Sequence, residues 1–314
     1  PTDDALVVML PAPSPWSERD GDPFARLPPL PAPSPPLPPP TPAPAPPPDP
    51  FSPPDLSPAP SPPPTQKCDT PRHPHQVSMR WHDHNDLATE FSAELVLDAV
   101  AVEAAVDGYG VPDGYLRLWN VGSVRERFQQ RGVAVTMGSD GVARMATDYA
   151  EMVRRAHLEL GCVARIVADA VAGVSDGRSR LGALASMVQD IPYPADKVTP
   201  IPKQRRLSNG TTVHTIGFRV PLETLALREG DCDSKTTLFS GLMKALGGPN
   251  TLLVTGEGHQ FGGIELAPRR GERYVEMDGR TFVLVEFTAP LPLGTIADDS
   301  WRHVRNGLLE LLVP

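Results

Sequence analysis

Arg228-Glu229-Gly230-Asp231-Cys232-Asp233-Ser234-Lys235, continued by Thr236-Thr237-Leu238-Phe239-Ser240-Gly241-Leu242-Met243-Lys244-Ala245-Leu246, is the stretch from which the rest of the chain is read. Residues Cys232 to Leu246 read as a helix, closed by Gly247-Gly248. Pro221 to Asp231 is expected to be the connection leading into it, after a strand over Thr211 to Val220. A cysteine that follows a glycine-containing loop and opens a helix sits where unpaired backbone N–H groups converge. The helix dipole there favours a thiolate and can draw a thiol down from about 8.5 toward 7. The same N–H groups could hold the oxyanion of a tetrahedral intermediate. Asp231 and Asp233 oppose the thiolate, so the chemistry requires a cationic partner.

His259 is the expected partner, 27 residues on (259 − 232), after the polar Gly256-Glu257-Gly258. A neutral imidazole can take the thiol proton and later return it to a leaving group. Around it lie short segments rich in β-formers, at Thr251 to Thr255, Gln260 to Leu266, Arg273 to Met277 and Thr281 to Thr288. Asp278-Gly279 between the last two is a hairpin-turn signal. One helix followed by antiparallel strands is an α+β pattern. The acid that would orient His259 is either Glu286, inside an apolar strand, or Asp278, in the turn. Glu286 is preferred, because a carboxylate among Val283, Leu284, Val285 and Phe287 has to be paired to be tolerated.

Taken together, REGDCDSKTTLFSGLMKALG, GHQFGGIEL and DGRTFVLVEFT with the following APLPLG resemble the transglutaminase-like superfamily, near its bacterial cysteine-protease-like branch. The likeness covers roughly Leu181 to Ile296, and LASMVQDIPY resembles the helix and turn preceding the catalytic loop. It implies a papain-like core, with the catalytic helix packed on an antiparallel sheet, and a Cys232–His259–acid triad. Where that family carries Asp-Pro-Thr, this chain has Glu286-Phe287-Thr288, one methylene longer at the acid. The resemblance also suggests Gln189 as the upstream oxyanion donor. Attack of the thiolate on an amide or peptide carbonyl would give a thioester, resolved by water or by an amine. Hydrolysis of a protein or peptide substrate is the expectation, with protein crosslinking or a catalytically silent binding module as alternatives. No cofactor is expected.

Outward from this core, Asp176 to Ile191 reads as an amphipathic helix with Leu181, Leu184, Met187 and Val188 on one face, ended by Pro192 and Pro194. Thr147 to Val174 carries helical spacing with a break near Gly161, and Asp98 to Val106 is a shorter helix. Gln76 to His82 and Leu87 to Leu97 form an expected hairpin around the polar HDHND segment. His73, His75, His82, Asp83, His84 and Asp86 are dense in metal-ligand types, but their spacing matches no metal motif. A solvated turn is preferred to a metal site.

The remaining stretch is of another kind. Of the 40 prolines, 27 fall in the first 70 residues, too poor in apolar surface to offset ordering entropy. Leu27 to Pro64 reads as an extended polyproline II stalk rather than an SH3-type ligand. The expected organisation is a disordered Pro-rich tract over 1–74, an N-terminal subdomain over 75–175 and the catalytic core over 176–314. A net charge of −9 without a Lys/Arg cluster argues against nucleic acid as a partner. No apolar run reaches membrane-spanning length. Tethering to a membrane or cell envelope would need a segment upstream of Pro1, and a cell-envelope or periplasmic setting is favoured over the cytoplasm. Cys68, Cys162 and Cys232 are too few for a disulfide framework, and spacing leaves a Cys68–Cys162 bridge open.

Overall fold

Alternation of apolar and polar residues builds the first large element, a hairpin whose strands each show one face to the core. The computed structural model describes residues 6–8, 71–85, 89–113, 115, 122–137, 143–193, 203–207, 209–256, 258–307 and 309–314. Most of the Pro-rich tract, Cys68, Asp86 and Glu257 lie outside these residues. The first half contains β1 (Leu6–Val8), β2 (Pro74–His82), β3 (Glu90–Asp98), α1 (Ala99–Asp107), β4 (Val111–Pro112), α2 (Gly122–Gln129), β5 (Val133–Met137), β6 (Ala143–Thr147), α3 (Tyr149–Glu159) and α4 (Gly161–Ala170). Then follow α5 (Gly177–Gln189), β7 (Gln204–Arg206), β8 (Thr212–His214), α6 (Pro221–Leu227), α7 (Cys232–Ala245), β9 (Thr251–Gly256), β10 (His259–Glu265), β11 (Tyr274–Met277), β12 (Arg280–Val285), α8 (Asp298–Arg305) and β13 (Glu310–Leu312). The architecture is α+β. All of these elements fall in one unit, Pro1–Leu10 with Pro63–Pro314.

The main sheet is antiparallel, in the order β11-β12-β10-β9-β13. Helix α7 packs on β9 and β10 and is in turn surrounded by α3, α4, α5 and α6. It is buried continuously from Ser234 to Met243, as a helix enclosed on all sides must be. Gly241 lets α3 come close: a Cβ there would stand 2.6 Å from the Cβ of Ala156. Val283 and Val285 join the core around α7, whereas Phe282 and Leu284 turn to the opposite face of the sheet. That second face is covered by Trp301 and Val304 of α8. The β2–β3 hairpin packs on α4 and α5, with Val77, Met79 and Trp81 facing inward and the Trp81 indole donating to Ala183 O at 2.9 Å. One cluster of buried side chains therefore runs from Val77 to Leu293, across both expected segments.

Three local expectations are corrected. The connection from Pro221 contains α6, because Pro221 occupies the first helical turn, where it removes no needed hydrogen bond. The strand expected over Thr211 to Val220 is only Thr212–His214. The HDHND segment, expected as a solvated turn, is exposed at His82 and Asn85 but turned inward at Asp83 and His84. Asp83 is buried, His84 Nε2 meets Asp190 Oδ1 at 2.7 Å, and the N–H groups of His82 and His84 bond Asp190 and Ser186 of the α5 end. Asn85 accepts from Leu293 N at 3.0 Å, so the turn is stitched to two distant segments. Among the described residues no group of three or more His, Cys, Asp or Glu is placed to hold a metal.

Candidate active site

Cys232 is the first residue of α7, and the loop before it is shaped to present it. Arg228, with φ of 51°, ends α6 in the left-handed region. Gly230 then passes close beneath the helix: a Cβ there would lie 2.8 Å from Thr224 Cγ2 and 3.2 Å from Lys235 Cγ. Asp231 caps α7, accepting from the N–H and hydroxyl of Ser234. The Ser234 hydroxyl oxygen also accepts from Arg219 N at 3.1 Å, which ties the strand-like approach to the helix start. The backbone N–H groups of Gln260 and Asp233 act on the Cys232 thiol and favour its thiolate. Gln260 is the neighbour of His259, so the thiol rests against the start of β10.

His259 opens β10, and its Nε2 stands 2.9 Å from Glu286 Oε2. The imidazole is 31% exposed and the carboxylate 4%, an open base on a buried acid. Glu286 follows directly on β12, paired with β10. Its other oxygen accepts from Thr288 N at 2.9 Å and Thr288 Oγ1 at 2.6 Å. Phe287 turns the other way and packs on Phe239 of α7, ring centroids 4.8 Å apart. Gly262 makes room for that ring, since a Cβ there would lie 2.6 Å from Phe287 Cε2. The structure thus joins His259 to Glu286 directly, while α7, which Cys232 opens, packs on β10, which His259 opens. No hydrogen bond links the thiol to His259 itself among the described residues.

Electrostatics set the two acids apart. Burial disfavours the Glu286 charge, but the hydrogen bond and charge of His259 and the two Thr288 donors outweigh it and hold the carboxyl below its usual range. The Cys232 thiol goes the opposite way to the expectation from its helix position. Burial, then the charges of Asp233 and Asp231, push it up, and the two N–H groups offset only part of this. Asp233 is itself raised well above the ordinary range by burial and by its proximity and hydrogen bond to Asp231. The Tyr149 hydroxyl donates to Asp233 Oδ2 at 3.0 Å. Burial and the two neighbouring acids both favour the protonated Cys232 thiol over the thiolate.

The remaining expected residues have other placements. Asp278 lies in the β11–β12 turn with φ of 51°, away from the carboxylate that holds His259. Both N–H groups of the Gln189 amide are occupied, by Glu286 O at 2.7 Å and Leu291 O at 2.8 Å. They leave no donor for an oxyanion, so the role suggested for Gln189 is not what its geometry supplies. Cys162 is disulfide-bonded, and Cys232 is the free thiol among the described residues. Sequence reasoning missed Thr288, although a hydroxyl two residues after the acid is a local signal for exactly this kind of side-chain bond. It also missed Tyr149 and Lys235, whose partners are far away in sequence. No family model, curated protein or solved structure matches the chain.

Proposed function

We propose that this protein is a thiol-dependent acyl-transfer enzyme that hydrolyses a peptide or amide bond, built on a transglutaminase-like, papain-like core. The observation that carries the reading is the His259–Glu286 pair at 2.9 Å, at the start of a strand whose Gln260 N–H acts on the Cys232 thiol. With Nε2 engaged by Glu286, Nδ1 is the nitrogen left to accept a proton. His259 takes the thiol proton as the sulfur adds to the substrate carbonyl carbon, and Glu286 stabilises the imidazolium that results. The carbonyl oxygen, now an oxyanion, is left the Cys232 N–H, because the N–H groups of Asp233, Ser234 and Lys235 in the first turn of α7 are already engaged. Collapse breaks the C–N bond, the imidazolium protonates the departing amine, and a thioester to Cys232 remains. Water, deprotonated by His259, then attacks the thioester carbon; the acid leaves and the thiol regains its proton. An amine in place of the water would give crosslinking.

One observation favours a second reading. A thiol raised by burial and by two neighbouring carboxylates is also what a silent module would carry, its fold kept as a binding surface. Labelling with an electrophilic peptide-amide probe separates the two. The enzymatic reading expects the probe to label Cys232, and Cys232→Ala to lose both labelling and turnover of a peptide or amide substrate while melting normally. Full retention of turnover in Cys232→Ala sinks it.

A further inference from the structure

Lys235 stands one turn along α7 from Cys232 with only 1% of its surface exposed. Its ammonium donates to Gln189 O at 3.0 Å and Ile191 O at 2.7 Å, carbonyls at the C-terminal end of α5, where the helix dipole favours a cation. The Gln189 side chain continues the connection to the carbonyls of Glu286 and Leu291. Its orientation follows from its partners, because a flipped amide would set an oxygen against two carbonyl oxygens. Gln189 Oε1 meets no donor among the described residues. A buried amide with an unpaired acceptor is uncommon, and here its two N–H groups account for its presence.

The two side chains therefore connect three pieces. Lys235 comes from the helix that Cys232 opens, Gln189 from the end of α5, and Glu286 O belongs to the residue whose carboxylate orients His259. Asp190, next to Gln189, is held in turn by His84 Nε2 at 2.7 Å and His82 N at 3.0 Å, which fixes the end of α5 from its other side. Neither Lys235 nor Gln189 needs to touch a substrate for this arrangement to matter. A shift at the α5 end would move the acid relative to the nucleophile, because the same two residues fix both.

We propose that Lys235 and Gln189 are positioning residues that latch the Glu286 segment to the nucleophile helix and so keep the Glu286 carboxylate on His259. The inference rests on the catalytic reading above. The carboxylates of Glu286, Asp190 and Asp231 act on Lys235 and favour its charge, against a burial that brings it down to about 8. It is thus a cation at neutral pH, complementing the acids it faces.

The test needs no substrate. Iodoacetamide alkylation of Cys232 in the full chain is followed from about pH 5 to pH 9, where His259 assistance adds a low-pH step beneath the step of the unassisted thiol. Gln189→Leu and Lys235→Met are compared with wild type and with Glu286→Gln, and each is melted by circular dichroism. Both variants are expected to lose the low-pH step, at least about tenfold in rate near pH 6. The double variant should lose no more than either single change, because the two residues act as one device. Profiles that overlay wild type while Glu286→Gln loses its low-pH step overturn the latch and leave the catalytic reading standing. An unchanged profile in Glu286→Gln as well overturns the catalytic reading and the latch with it. Should Lys235→Met fail to fold, Gln189→Leu decides alone.

Discussion

Two acidic sites lie beside the proposed reaction centre, and they behave in opposite ways. At the end of β12, Glu286 is almost fully buried yet held below its ordinary range, because every contact made by its carboxylate comes from a donor: His259 Nε2, Thr288 N and Thr288 Oγ1. At the start of α7, Asp233 also has donors, Tyr149 and Ser234 N, but it shares its surroundings with Asp231 and its carboxyl is driven up. The difference teaches that burial alone does not fix the state of an acid. The sign of the nearest charge does. The first site supports an imidazolium, and the second makes a thiolate harder to form.

The largest expected effect comes from erasing the first site. Glu286→Gln keeps the shape but removes the charge that stabilises the imidazolium and orients the ring. The loss of kcat should be at least about a hundredfold, the order typical of removing an orienting or charge-stabilising group. The effect should fall on kcat rather than KM, since the carboxylate is buried. A wild-type kcat in this variant breaks the comparison. The same site carries a stability signature. Because the folded Glu286 is held low, its contribution is present above the ordinary Glu range and is lost as pH falls through its lowered value. Wild type should therefore lose melting temperature on acidification in that window, and Glu286→Gln should lose less.

Asp233→Asn relieves the second site and should act in the opposite direction. Removing the charge next to the sulfur lowers the Cys232 thiol toward its ordinary range. Each unit of that fall raises the thiolate fraction tenfold below the pKa. Lower intrinsic nucleophilicity takes back about half of the gain on a logarithmic scale, leaving about threefold faster alkylation per unit. The gain belongs to pH values above the raised range of Asp233, where its carboxylate is charged, and a rate at or below wild type there refutes the assignment. The sign for stability follows from linkage. A carboxyl raised in the folded state binds its proton more tightly there, so its cost is absent below the ordinary Asp range and grows as pH rises toward the folded value. The melting-temperature advantage of Asp233→Asn should widen as pH rises above the ordinary Asp range.

How much of this was legible in the sequence depends on how local each cause is. The cap at Asp231, the apolar run behind Cys232 and the Asp278-Gly279 turn are decided within a few residues, and α7 and the β11–β12 hairpin follow from them. The break at Gly161 between α3 and α4 and the alternation in β2 and β3 are equally local. Helix α6 was hidden because Pro221 is a breaker anywhere but the first turn, where it stands. Helix α8 was readable in principle, with Asp298 and Asp299 in its first turn and Arg302, His303 and Arg305 in its last, as the dipole prefers. The His259–Glu286 pairing rested on an unpaired charge in an apolar strand, a local clue to a distant partner. The opposition of Asp231 and Asp233 to the Cys232 thiolate was local and legible, whereas the burial of the thiol was not. The inward Asp83–His84 part of the HDHND turn and the Gln189 clamp had no local clue, since their causes lie 102 residues away along the chain, in the His84–Ser186 and Gln189–Leu291 contacts.

The smallest expected effect belongs to the other acid once weighed against Glu286. Asp278 and Gly279 both have positive φ, 51° and 72°, between the paired Met277 and Arg280, which is the backbone of a two-residue type I′ turn. Asp and Asn are the non-glycine residues that enter this region at least cost, so the turn alone explains why a short polar side chain stands there. Asp278→Asn keeps that conformation and removes only the charge. Because the carboxylate on His259 is that of Glu286, the change should alter kcat by less than about threefold and leave the melting temperature within error. Asp278→Ala sharpens the point: it should destabilise by about 1 kcal/mol through the left-handed backbone and still leave kcat in place. Measured on one substrate beside Glu286→Gln, the pair decides which acid serves the imidazole. If Asp278→Asn is the crippling change and Glu286→Gln the benign one, the proton path runs through the turn, and the contrast between the two acidic sites loses its catalytic meaning.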